Sequence, residues 1–210
     1  MKIRIAYILI FLAALSACKK DDIESFPHIL KFSGISKKGD VRVYINAGAE
    51  LKDKVAIRKY LANWKTLDDD NKPYNSNVIT FTNKDSITFG KFDLKYSVQR
   101  KKDQYLFYSE YPLFIGFENI VDPYVLYTSE IVHVDQTSGY PSRRKDVRVA
   151  YGNNSNLKLS ILQYKIVRSN GNSYSMAMGY VFNEFSTSNL NSLKQGDTLA
   201  VQEYTINYRK

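Results

Sequence analysis

Cysteine occurs once in the 210 residues, at Cys18. No disulfide can form within the chain, so its fold must be held by packing and backbone pairing alone. Histidine occurs twice, at His28 and His133. A metal centre normally needs three or four ligands, and the chain has few imidazoles or thiolates to supply them. Three motifs are absent: the Gly-x-Ser-x-Gly of hydrolases, the His-Glu-x-x-His of zinc proteases, and the glycine loop that cradles phosphates. No repeat period is evident, and no apolar run approaches the roughly 20 residues of a membrane-crossing helix.

The longest apolar run is residues 5–15. Lys2 and Arg4 precede it, Ser16, Ala17 and Cys18 follow, and charged residues 19–22 close it off. A short basic start, an apolar centre and a small-residue end make a secretory leader. Leu15-Ser16-Ala17-Cys18 resembles the lipobox of bacterial lipoproteins. The resemblance implies cleavage after Ala17 and a diacylglyceryl group on the Cys18 sulfur, with an outer membrane as the address. Each acyl methylene buried there contributes about 0.8 kcal/mol. Lys20, Asp21 and Asp22 resemble the surface-export signal of Bacteroidota lipoproteins, which implies display on the cell surface. Residues 1–17 are therefore expected to be a signal peptide, 18–27 a lipidated tether, and 28–210 a single β-rich domain. Asp85-Ser86-Ile87 and Asp197-Thr198-Leu199 resemble an O-glycosylation sequon of exported proteins of that phylum, in agreement with the address.

The formal net charge is +9, from 30 basic and 21 acidic residues, and the leader carries off two of the basic ones. A basic excess suits nucleic acid, but an exported protein does not meet the genome, so no nucleic-acid partner is expected. Lipopolysaccharide phosphates and acidic glycans are the available counter-surfaces. Charge of this size also serves only to keep copies apart in solution. Aromatic residues are abundant, with 17 Tyr and 11 Phe. Such residues suit a pleated, half-buried sheet.

Along the chain, residues 29–32 read as a short first strand. Gly39-Asp40 opens another, in which Val41, Val43 and Ile45 alternate with Arg42 and Tyr44. Residues 50–64 form the one helix candidate, with Ile57, Tyr60, Leu61 and Trp64 on a single stripe. Strands over 78–81 and 86–89 flank Asn83-Lys84-Asp85, and residues 92–98 turn back through Arg100, Lys101 and Lys102 into 104–108. Asn170-Gly171 lies between two apolar runs, the strongest hairpin signal in the chain. A last strand covers 198–208. The reading is a mainly β protein: an antiparallel sandwich or partly closed barrel of about ten strands, with one helix near residues 50–64. Trp64 ahead of hairpins is similar to bacterial lipocalin-like lipoproteins and implies a barrel. Their Gly-x-Trp opening is absent, Asn63 standing directly before the tryptophan.

Chemistry is thin. His28 ends the tether and is expected to be exposed. His133 and Asp135 share one face of a strand, enough to orient an imidazole but short of a metal site. Asp68, Asp69 and Asp70 lack the alternation and glycine of a calcium loop. Glu118, Asp122 and Glu130 are acids that nothing in the sequence pairs. No catalytic residue, metal or cofactor is therefore expected. Aromatic residues crowd 105–127, where they serve either as cross-strand core pairs or as a ligand surface. The ligand face chosen is Tyr108, Tyr111, Phe114 and Phe117, with basic loops at 100–102 and 143–145 beside it. The expected function is a non-catalytic outer-membrane lipoprotein that binds a ligand, such as a glycan, or a protein partner. The rivals are a subunit of an envelope complex without a small ligand, and a hydrolase with unrecognised carboxylates.

Overall fold

A computed structural model describes residues 25–65, 67, 78–90, 94–110, 147–170, 173–188 and 190–210, with the backbone of 131–132 and 143–144. Cys18, Lys20, Asp21 and Asp22 lie outside the described residues. The strands in chain order are β1 (His28–Ile45), β2 (Ala49–Glu50), β3 (Val78–Asn83), β4 (Ser86–Phe89), β5 (Leu94–Lys101) and β6 (Gln104–Ser109). After them come β7 (Ile131–Val132), β8 (Arg143–Arg144), β9 (Val147–Asn153), β10 (Asn156–Asn170), β11 (Ser173–Val181) and β12 (Thr198–Arg209). Among the described residues, one helix, α1 (Lys54–Tyr60), and a 3-10 turn at Leu190–Ser192 interrupt them. Among the described residues, β7 and β8 pair with each other and with no other strand.

Every pairing is antiparallel. The order β10-β12-β1-β3-β4-β5-β6-β9 returns to β10, so eight strands close into a barrel. β11 joins β10 and β2 joins β1 outside it. Of the two architectures the sequence allowed, the barrel is the one formed, and it is fully closed. Closure removes free strand edges that would otherwise template aggregation. The sharp β9–β10 return depends on Gly152, whose φ is +118°; a Cβ there would collide with the Asn156 carbonyl.

Alternation sets the interior. Leu30, Phe81, Phe107, Leu159, Tyr204 and Tyr208 point inward and are buried almost completely. Their rings meet edge to face, as at Phe81–Tyr105 (6.4 Å) and Phe89–Tyr208 (6.1 Å). Arg148, opposite Phe107 in the register, also points inward. Its guanidinium lies 4.2–4.8 Å from the ring centres of Phe182, Phe89 and Tyr96, a cation–π cage that stabilises the buried charge.

The sequence suggested two strands within 28–45, and the structure has one. Irregularities between Phe32 and Gly34, and between Lys38 and Arg42, absorb the glycines without breaking the pairing with β12. Buried Gln202 fills the second by donating its amide to the carbonyls of Gly39 and Glu203 (both 3.0 Å). His28 is not exposed. The strand begins at His28 itself, opposite Phe81, and the imidazole is stacked between Phe26 and Phe81 at 8% exposure.

The helix is shorter than the 50–64 its stripe suggested. Residues 49–50 pair with β1, and Asp53 then caps α1 by accepting from the Val55 and Ala56 N–H groups (2.8 and 3.3 Å). Turns replace helix after Tyr60, whose hydroxyl still reaches the sheet at the Lys165 and Thr198 carbonyls.

Beyond the barrel, β1, β12 and β10 continue into a five-strand extension ordered β2-β1-β12-β10-β11. β10 makes this possible. One edge pairs with β9 over Asn156–Leu159 and then with β11 over Leu162–Asn170. Asn183 seals the fork by donating to the Val147 carbonyl (3.1 Å), and buried Glu184 accepts from Tyr151 (2.9 Å) and Ser160 (3.2 Å). The outer face of the extension holds a second core. Tyr44, Leu162, Ile166, Leu199 and Val201 lie there under Phe185, Leu190 and Leu193.

Burial raises the hydroxyls of Tyr44, Tyr60, Tyr164 and Tyr208 above their ordinary value of 10.0, most for Tyr60 and Tyr208. A raised folded pKa contributes stability that is complete below pH 10 and lost as pH climbs through the folded value. Stability is therefore expected to fall steadily above about pH 10. Tyrosinate absorbance should rise in two stages, the later one together with loss of β-sheet circular dichroism. A single early titration of all tyrosines would contradict the burial described.

Candidate functional site

Of the proposed ligand face, Tyr108 is described. It stands half-buried on the outside of β6, its hydroxyl 3.3 Å from Gln99 Oε1. Its neighbours Tyr105 and Phe107 point into the barrel core. Tyr111, Phe114, Phe117, His133, Asp135 and residues 68–70 lie outside the described residues. So do Glu118, Asp122, Glu130 and Lys145, and the side chains of Arg143 and Arg144. Arg100, Lys101 and Lys102 are exposed at the β5–β6 turn, with Arg100 over the Tyr105 ring at 5.2 Å. Of the two glycosylation-like tripeptides, Asp85-Ser86 sits at the β3–β4 turn with Asp85 exposed. In the other, Asp197 is buried and its carboxylate holds the N–H groups of Ser169 (2.9 Å) and Lys194 (3.1 Å).

The structure brings a different set of aromatic residues together. On the face of the extension that continues the barrel interior, α1 is fastened by Tyr60 and Lys165. The Tyr60 hydroxyl lies 3.1 and 2.9 Å from the carbonyls of Lys165 and Thr198. The Lys165 ammonium donates to the Tyr60 carbonyl at 2.6 Å and lies 4.6 Å from the ring centre. Lys165 is therefore buried but compensated on both sides.

The chain after α1 is pinned to the same face. Trp64 N–H donates to the Leu61 carbonyl (2.8 Å), Gln163 Nε2 to the Lys65 carbonyl (2.6 Å), and Leu67 N–H to the Tyr204 hydroxyl (3.3 Å). Tyr204 in turn donates to Gln163 Oε1 (3.1 Å), so one glutamine joins the turn to the barrel rim.

Between this turn and the β10–β11 hairpin lies a cleft of about 350 Å³. Trp64 and Lys65 line one side, and Gln163, Met178 and Tyr180 the other. Trp64 Nε1 is buried, with no acceptor among the described residues. The described residues that line the cleft include no carboxylate or histidine. Flat rings beside amide groups can stack on a sugar face and hydrogen-bond its hydroxyls. A second groove of about 550 Å³ runs over β3–β6, lined by Thr82, Thr88, Lys95, Ser97 and Glu110 among others. Its described lining is rich in hydroxyl groups, with Tyr96 the one aromatic side chain.

Among the described residues, no group of three or more His, Cys, Asp or Glu side chains could hold a metal ion. No described helix is long and apolar enough to cross a membrane. Sequence reasoning did not find the cleft. Trp64 and Gln163 are brought together only by the fold, and the alternation of Tyr174, Met176, Met178 and Tyr180 reads equally well as core. No family model, characterised protein or solved structure matches the chain.

Tyr60→Phe removes the hydroxyl that ties α1 to two sheet carbonyls. A loss of about 1–2 kcal/mol is expected in chemical denaturation. The emission of Trp64, the chain's one tryptophan, should shift to the red. Unchanged stability and emission would mean that the hydroxyl does not fasten the helix.

Proposed function

We propose that the chain is an outer-membrane lipoprotein, displayed on the cell surface, whose β body is a non-catalytic module that binds a glycan. The anchor reading is supported by the leader and by a lone cysteine placed where the lipid would join. The binding reading is carried by one observation: a cleft whose described lining sets Trp64 and Tyr180 beside the Gln163 amide and Lys65. Its place in the fold suits the reading. Lys31, near the tether, pairs with Arg209, whereas the cleft's Gln163 pairs with Gln202. At about 3.3 Å per residue, the cleft lies roughly 20 Å from the Lys31 end of β1, measured along β12.

Cys18→Ala is expected to move the protein out of the membrane fraction, and replacement of Asp21 and Asp22 by Ala to reduce surface labelling in a Bacteroidota host. Persistent membrane retention of Cys18→Ala removes the anchor reading, and unchanged labelling removes the export reading.

Binding is tested separately, by affinity electrophoresis in gels cast with neutral and acidic polysaccharides. Retardation of the wild-type chain by at least one polysaccharide is expected. Trp64→Ala should weaken it at least tenfold, as loss of a central aromatic contact commonly does. If no polysaccharide retards the wild-type chain, or Trp64→Ala migrates like it, the glycan reading fails.

A further inference from the structure

β11 is an edge strand: β10 is its one strand partner among the described residues. Long edges are normally blocked by charges, proline, or a covering loop. β11 reads Ser-Tyr-Ser-Met-Ala-Met-Gly-Tyr-Val, nine residues without a charge or a proline, in a chain that is 24% charged. Its large side chains lie on one face and open to solvent: Tyr174 is 73% exposed, Met176 61%, Met178 53% and Tyr180 46%.

The strand also has a symmetry. About Ala177 the large residues read Tyr-x-Met-x-Met-x-Tyr in both directions. In an antiparallel pair centred there, Ala177 faces its own copy, Met176 faces Met178 and Tyr174 faces Tyr180. On the other face Ser175 meets Gly179. Large residues thus oppose large ones and small oppose small, with no charge opposed to its like. Only a two-fold relation between identical strands uses such a pattern fully.

We propose that β11 pairs edge to edge with β11 of a second copy, across a two-fold axis through Ala177. Main-chain hydrogen bonds then continue the sheet from one molecule into the next. One strand edge buries less than the ~1,000 Å² of a stable interface, so the dimer is reversible and weak. The sheet face remains open, and the two Trp64 clefts lie on the same side of the joined sheet. The axis is perpendicular to the strands, which puts the two β1 starts at opposite poles of the pair. Pairing in solution does not depend on the lipid or on a glycan.

The test uses the full chain carrying Cys18→Ala, which is thiol-free, in a mild detergent. Ala177→Cys places a thiol on the axis. Directly opposed Cα atoms in an antiparallel pair are about 4.5–5.5 Å apart, within disulfide range. A disulfide-linked dimer is expected on mild oxidation. Tyr174→Cys should remain unlinked, because position 174 faces 180. By sedimentation, the thiol-free chain should shift toward twice its mass between about 1 and 100 µM. Met176→Lys with Met178→Lys should weaken association at least tenfold, while far-UV circular dichroism stays unchanged. A chain monomeric throughout that range, or Tyr174→Cys linking as readily as Ala177→Cys, overturns the proposal.

Discussion

β12 is hydrogen-bonded on both edges from Thr198 to Arg209, to β1 on one side and β10 on the other. The remaining structure depends on that double pairing. Its even positions Tyr204, Ile206 and Tyr208 fill the barrel, and its odd positions Leu199 and Val201 enter the second core. The same strand therefore belongs to a barrel at one end and to an open extension at the other. A slip of one residue would turn both sets of side chains to the wrong face. Two features guard the register: Gln202 fills the irregularity in β1, and Arg42 binds Glu203 across the pair at 2.7 Å.

The extension follows from unequal strand lengths. β10 runs for 15 residues, but β9 covers only its first four pairs. The remainder needs another partner, which β11 supplies by folding back as a hairpin. The exposed far edge of β11 is the consequence. One surface of this extension is covered by Phe185, Leu190 and Leu193, whereas the other carries α1, the cleft and the Tyr–Met stripe. Binding and self-pairing are thus assigned to neighbouring parts of one element. They use different features of it, the face for a ligand and the edge for a copy.

Much of the strand content was legible in the sequence because alternation is a local property. The register of β10 and β11 pairs Asn170 with Ser173, close to the turn that Asn170-Gly171 suggested. Other features were not legible. Gly39 looked like the start of a separate strand, yet a neighbouring strand long enough to pair on both sides carries β1 through it. His28 looked exposed because it adjoins a charged tether, yet its register places it against Phe81. In the helix candidate, the apolar stripe was real, but Asp53 capping and the β2 pairing set its start. The aromatic residues at 105–108 divide between core and surface, a division their composition does not contain.

By itself the sequence determined that the protein is β-rich, free of internal disulfides, and built largely from antiparallel neighbours joined by short turns. A period of two shows that a strand has two faces. It does not say which face meets water, because that depends on strands far away in the chain. Tertiary structure alone decided that β6 meets β9 and that β12 lies between β1 and β10, which closes the barrel. It also decided that Trp64 lies beside Gln163, and that Tyr174, Met176, Met178 and Tyr180 are left facing solvent.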